Sequence, residues 1–334
     1  MIHILTISPS ASDGTSFYRA SGVIPFLKRE YDDITITDFS HKNSLDWNDY
    51  VGYDVVILQR PFIDSHVNVI KLLKKLNIKV IIDYDDDILN LECSNPHYSF
   101  YNKNKKNIEE ICGLADQIWV STESLMETFS FYNENIIVIP NAHNDYLFPV
   151  DKKRSFNVNT KKTAYRGGKT HELDVYEHFD EWIEMINNNQ DYEFYFLGAR
   201  FPFLESKCAD NYLIIEGLHI IDYFDYFYNL NPNIFIYPLE NTRFNQGKSN
   251  ISWIEATYAG AVVLAPDNIN EFKGKPGILN FKDKFLYLFD DVKGKNKTLE
   301  LLNNLSWDYI QNNLLLSKVN KIRYLSILDV QKRK

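Results

Sequence analysis

Four carboxylates crowd five positions at Asp83, Asp85, Asp86 and Asp87, interrupted by Tyr84. Like charges so close repel, so some of their pKa values should rise unless cations intervene. On the residues alone two readings stay open. Asp85-x-Asp87 matches the D-x-D pattern of a divalent metal site. The run could also cap a helix with solvated neighbours.

Two further sets are built for phosphate. Arg166–Gly167–Gly168–Lys169–Thr170–His171 places two glycines between an arginine and a lysine, so backbone N–H groups can approach an anion with charge on both sides. Gly247–Lys248–Ser249–Asn250 precedes an apolar helical pattern. There the unpaired N–H groups and the positive end of the helix dipole attract an anion, and Lys248, Ser249 and Asn250 sit where they add to that pull. Glu255, two turns further on, suits ribose hydroxyls. Both Gly168–Lys169–Thr170 and Gly247–Lys248–Ser249 end like a P-loop. The full pattern needs glycine where Thr163 and Thr242 stand, so neither completes it, though both still point to phosphate.

The elements that must position these groups alternate between strand and helix. Ile2–Ile7, Asp54–Leu58, Lys79–Ile82, Gln117–Ser121 and Ile136–Ile139 read as strands of a first half. Helices are expected over 16–29, around 67–76, over 107–118 and from a cap at Ser121 or Thr122. In the second half the strands are Lys162–Tyr165, Tyr192–Leu197, Tyr212–Ile215, Ile234–Tyr237 and Ala261–Ala265, with helices over 173–187, 221–228 and 299–321. The aromatic helix over 221–228 is expected to be packing. Gly260 should end the helix that carries Glu255. Gly14, Thr15 and Arg19 follow the first strand, where a doubly wound domain approaches its ligand. Arg60 lies at a strand's carboxyl end, the same edge.

A chain of 334 residues, 45% hydrophobic, suits two α/β domains. It has no apolar run of about 18 residues, so no membrane span is expected. Cys93, Cys112 and Cys208 lack zinc spacing and read as free thiols of a cytoplasmic protein. The net charge of −9 is uneven: residues 1–150 carry 12 Lys+Arg against 21 Asp+Glu, and the remainder is neutral. That argues against general nucleic-acid binding, although Lys103, Lys105 and Lys106 form a local basic patch.

Glu255–Ala256 with Gly260–Ala261–Val262–Val263 resembles the donor-binding segment of GT-B glycosyltransferases, particularly glycosyltransferase family 4. His171 and Asp174 match a further family pattern, a glycine-rich loop followed by H-x-x-D. Gly247 stands where many members have a second glutamate. The resemblance implies an α/β GT-B fold: two Rossmann-like doubly wound domains facing a cleft, with a C-terminal helix crossing back. The N-terminal acceptor domain would span 1–150 with about 318–334, and the nucleotide-sugar donor domain 160–317. It also implies a retaining glycosyltransferase that needs no cofactor or metal and takes a nucleotide-diphosphate sugar, with a UDP-sugar expected. Positive groups would stabilise the departing diphosphate.

In that frame Gly14, Thr15, Arg19, Arg166, Lys169, Lys248, Ser249 and Asn250 hold the donor phosphates, Glu255 the ribose, and Gly217 and His219 the base. Asp85 and Asp86 are catalytic, with Arg60, Asp87 and His171 lining the acceptor side. A surface glycan or glycolipid is the default acceptor, in a bacterial or phage-infected host cytoplasm. The Asn-, Lys-, Ile- and Tyr-rich composition also suits a phage-encoded protein. The stretch Asp83–Leu89 distantly resembles phage enzymes that glycosylate hydroxymethylated DNA pyrimidines. A GT-A-like metal-dependent glycosyltransferase and a non-catalytic nucleotide-binding module are the remaining alternatives.

Overall fold

Short apolar runs rich in β-branched residues bury both faces of a strand, which is the condition for a parallel sheet covered by helices. The first half meets it. In the computed structural model, which describes residues 1–10, 13–40, 42 and 46–333, six such runs form one parallel sheet. They are β1 (Ile2–Ile7), β2 (Ile34–Asp38), β3 (Val55–Gln59), β4 (Lys79–Tyr84), β5 (Gln117–Val120) and β6 (Ile136–Val138), in the order β2-β1-β3-β4-β5-β6. Register pairs Leu58 with Ile82, Gln59 with Asp83, and Asp83 with Trp119. Strand alternation then divides the core. Val56, Leu58, Val80, Ile82 and Tyr84 face one helical layer, while Ile57, Ile81 and Trp119 face another that includes Val319, Ile327 and Val330 of the last helix, Leu316–Lys332.

The second half repeats the plan with β7 (Lys162–Arg166), β8 (Glu193–Leu197), β9 (Tyr212–Ile215), β10 (Ile234–Ile236), β11 (Val262–Pro266) and β12 (Leu279–Phe281). Their order is β12-β11-β10-β7-β8-β9, again all parallel. In each sheet the first strand lies inside and the order in which strands are added reverses beside it. Ligands of such sheets bind outside the carboxyl ends of the strands at that reversal, here β1/β3 and β7/β10. The chain divides into two units, Met1–Leu147 with Gly247–Ser249 and Leu314–Lys334, and Phe148–Gln246 with Asn250–Asn313.

Four local expectations change. The helix over 16–29 is two helices, Gly14–Arg19 and Ile24–Glu30, because Pro25 starts a new one and a tight turn precedes it. A Cβ at Gly22 in that turn would lie 2.4 Å from the Phe17 carbonyl oxygen. The helix over 173–187 breaks into Glu172–Tyr176 and Phe179–Asn188. The helix over 299–321 breaks between Asn313 and Leu316, where Leu314 O accepts from His143 N and Leu316 N donates to His143 O, each at 2.8 Å. Bonding to His143 replaces the helical bonds lost at the break. Finally, β2 and β12 add a strand to each half, because Ile34-Thr-Ile-Thr-Asp38 alternates too briefly to stand out and Leu279–Phe281 is only three residues long.

Candidate functional site

The acidic run does not act as one cluster. Asp83 is still inside β4 and turns into the protein. It is 1% exposed and accepts from Arg19 Nε at 3.0 and 3.1 Å and from Nη2 at 2.7 Å. Arg19 also donates from Nη1 to Ile139 O at 2.6 Å and to Asn141 Oδ1 at 3.1 Å. Arg19, expected on donor phosphates, is therefore a fully buried structural cation; its place on the inner face of a short helix points it away from the loop. Asp87 also turns inward, accepting from Asn90 Nδ2 at 3.0 Å and Thr128 Oγ1 at 3.1 Å, so it does not line an acceptor surface.

Asp85 and Asp86 differ. Arg60 follows β3 with φ of 48°, a left-handed conformation uncommon for a residue with a Cβ. Its N–H is held by Asp83 O at 2.9 Å, and its guanidinium reaches both neighbours: Nε to Asp85 Oδ1 at 2.5 Å, and Nη2 to Asp86. Lys248 Nζ donates to Asp86 Oδ1 at 2.8 Å. Burial raises the pKa of Asp85 above the usual carboxylate range, Arg60 opposes this and Asp86 reinforces it. Burial alone would lower the Arg60 pKa, but Asp85 and Asp86 drive it upward, so it stays charged. Tyr101 lies beside this group, its phenol pKa raised by burial. A carboxylate with a raised pKa, oriented by a fixed cation, is suited to accept a proton from a hydroxyl. Among the described residues, no group of three or more His, Cys, Asp or Glu side chains is arranged to hold a metal ion.

Gly14 and Thr15 open the helix Gly14–Arg19, where Asp13 Oδ1 accepts from Ser16 N at 2.7 Å. One of the helix-start donors is thereby already capped. Gly247–Ser249 packs with the first unit: Asn141 Nδ2 donates to Ser249 Oγ at 2.8 Å, and Thr122 Oγ1 to Gly247 O at 3.3 Å.

In the second unit the helix Ile251–Tyr258 carries Glu255 inward, 5% exposed. Glu255 Oε2 accepts from Tyr223 OH at 2.7 Å, and Oε1 lies 3.5 Å from Arg166 Nη2. Arg166 is the last residue of β7, and its guanidinium lies 5.4 Å from the centre of the Tyr223 ring. Burial, then Glu255, pushes the Tyr223 phenol well above its ordinary pKa, so it remains a donor. Tyr223 is the residue that sequence reasoning misses. It belongs to an aromatic helix that reads as packing, and its hydroxyl is the available clue.

Lys169 is exposed on the turn after β7, and Gly168 beside it is open, with nothing within 4 Å of where a Cβ would stand. Gly167 answers to packing instead, since a Cβ would lie 2.1 Å from the Tyr165 hydroxyl. His171 is 7% exposed and bonds Asp174 Oδ2 through Nδ1 at 2.7 Å. Asp174 Oδ1 in turn accepts from Glu240 N at 3.0 Å and Asn245 Nδ2 at 2.8 Å. His171 and Asp174 thus brace the loop after β10, which places His171 in a supporting network rather than on an acceptor. Asn250 precedes the Glu255 helix without a side-chain cap bond and donates to Glu271 Oε2 at 3.2 Å. Gly217 (φ 67°) and His219 are exposed ahead of the helix Ile220–Leu230.

No protein-family model matches the sequence, and no curated protein matches it. Solved structures do match in shape. An alpha-glucosyltransferase in complex with UDP-glucose and DNA containing an abasic site is similar over all of both chains, with 10% identity and a TM-score of 0.63. An alpha-glucosyltransferase in complex with UDP and a 13-mer DNA containing a central A:G mismatch is similar over all of both chains, with 12% identity and a TM-score of 0.68. An α,α-trehalose-phosphate synthase (UDP-forming) from Burkholderia vietnamiensis covers 99% of this chain and 98% of its own, with 10% identity and a TM-score of 0.63. The two parallel six-stranded sheets with flanking helices are thus the GT-B glycosyltransferase fold. A GT-A fold is set aside.

Proposed function

We propose that this protein is a glycosyltransferase that moves a sugar from a UDP-sugar to a hydroxyl acceptor. The observation that carries the reading is the buried Glu255, held by Tyr223 and facing Arg166 at the carboxyl end of β7. A buried carboxylate beside an arginine at a strand-order reversal suits ribose hydroxyls next to a diphosphate. The GT-B fold supports it, as do the UDP-glucose and UDP of similar structures. Arg166, Lys169 and Lys248 would stabilise the diphosphate as it departs, which is what a retaining front-face displacement requires. Gly217 and His219 would receive the base. In the first unit Asp85 or Asp86, oriented by Arg60, would position the acceptor hydroxyl.

Thermal shift with UDP-, GDP-, ADP- and CMP-linked sugars, with and without EDTA, tests this. Stabilisation by a UDP-sugar that survives EDTA and disappears in Lys248→Ala is expected. Stabilisation that needs a divalent ion, or none with any donor, would overturn it. A glycan or glycolipid acceptor is the first reading. A DNA acceptor is the second, favoured by the DNA in two structures similar over their whole length. Salt-sensitive duplex binding, lost when Lys103, Lys105 and Lys106 are neutralised, would select the DNA reading.

A further inference from the structure

The first unit buries more positive than negative charge in one place. Arg19, Asp83 and Arg323 are at most 1% exposed, and the charges of Arg19 and Asp83 both act on Arg323. Arg19 takes the Asp83 carboxylate on both oxygens. Arg323 lies on the inner face of the helix Leu316–Lys332, three residues beyond Asn320 and four before Ile327. Its Nη1 donates to Asn320 Oδ1 at 3.1 Å, while its Nε and Nη2 have no hydrogen-bond partner in the protein. Asn320, also fully buried, leaves its Nδ2 without a partner, and its orientation follows from the bond that Oδ1 accepts. Among the described residues of this unit, the buried side-chain polar atoms left without a partner are all donors.

Unmatched donors beside surplus positive charge call for an acceptor that carries negative charge. Leaving such groups bare in the interior is strongly unfavourable. Burial and the neighbouring Arg19 lower the Arg323 pKa to about 9, with Asp83 opposing, which still leaves it charged at pH 7. Protonation loss therefore does not resolve the imbalance.

We propose that the first unit contains an internal site for a small monovalent anion of the halide class, held on the Nε and Nη2 edge of Arg323, with Arg19 adding charge. Arg323 and Asn320 are not among the sugar-transfer residues, and the site does not depend on the activity proposed above.

The test compares thermal unfolding of the full chain in sodium chloride and sodium gluconate at equal ionic strength. Chloride should raise the Tm by roughly 2 °C or more, since an ion that binds the folded state alone stabilises it. Arg323→Met should abolish the difference. Asn320→Asp supplies a built-in carboxylate and should abolish it too while raising the Tm in gluconate, which keeps the test decisive if Arg323→Met does not fold. Crystals soaked in bromide should show an anomalous peak beside Arg323. Equal Tm values in the two salts, a chloride effect unchanged in Asn320→Asp, or no bromide at this position would overturn the proposal and leave water as the partner of these donors.

Discussion

Two arginine–carboxylate pairs occupy comparable places in the two units. Each arginine belongs to the first strand–loop–helix segment of its sheet, yet they serve opposite ends. Arg19 sits in the helix and meets Asp83 with side-chain exposures of 0% and 2%. Arg166 ends the strand and meets Glu255 with exposures of 28% and 2%. Whether the arginine stands at the strand end or in the following helix separates the presented charge from the enclosed one. An enclosed pair contributes to the fold, because removing one member leaves the other buried and uncompensated. A half-open pair keeps one face for a ligand.

Asp83→Asn is therefore expected to have the largest effect of these substitutions, a loss of about 3–5 kcal/mol, visible as a lower midpoint in urea unfolding. A wild-type midpoint would break the comparison. Glu255→Gln keeps the shape of the open pair and should leave the urea midpoint nearly unchanged. It should weaken UDP-sugar binding on the order of tenfold, the size of one lost charge-assisted hydrogen bond. Calorimetric titration reads this directly; unchanged affinity would remove Glu255 from the donor site.

The smallest effect concerns His178, whose Nδ1 meets Glu181 and whose Nε2 lies 3.2 Å from Glu240. Burial lowers its pKa, but Glu181 and then Glu240 outweigh this, so the folded-state value is raised. The stability it adds is full below the unfolded-state pKa and is lost as pH rises through the raised folded-state value. His178→Gln should cost about 1 kcal/mol or less in mild acid and nearly nothing in alkali. A cost that grows with pH would reverse the assignment.

Much of the fold was legible because parallel strands are nearly continuous apolar runs, and the helix-to-strand passage at Glu255–Ala265 carries its own punctuation in Gly260. Asp85, Asp86, Arg166 and Glu255 were legible as charged groups at strand ends or helix starts. The rest was not, for physical reasons that differ by residue. Arg19 and Asp83 are 64 positions apart, and their pairing follows from β4 lying next to β3 and one strand from β1. Tyr223 resembles its packing neighbours until the helix rotation that aims its hydroxyl at Glu255 is known. The break before Leu316 depends on bonds to His143, far away along the chain.

The sequence by itself determined the class of chain: two alternating α/β halves, phosphate-type loops, and a carboxylate-rich strand end. Those are local properties, set by side-chain period, backbone freedom at glycine and helix polarity. Tertiary structure decided which charges were enclosed. Whether Asp83, Asp85, Asp86 or Asp87 finds a cation depends on the alternation of one strand and on what its neighbours place opposite each face. Charge spacing along the chain carries no information about that partner, because the partner comes from another part of the fold.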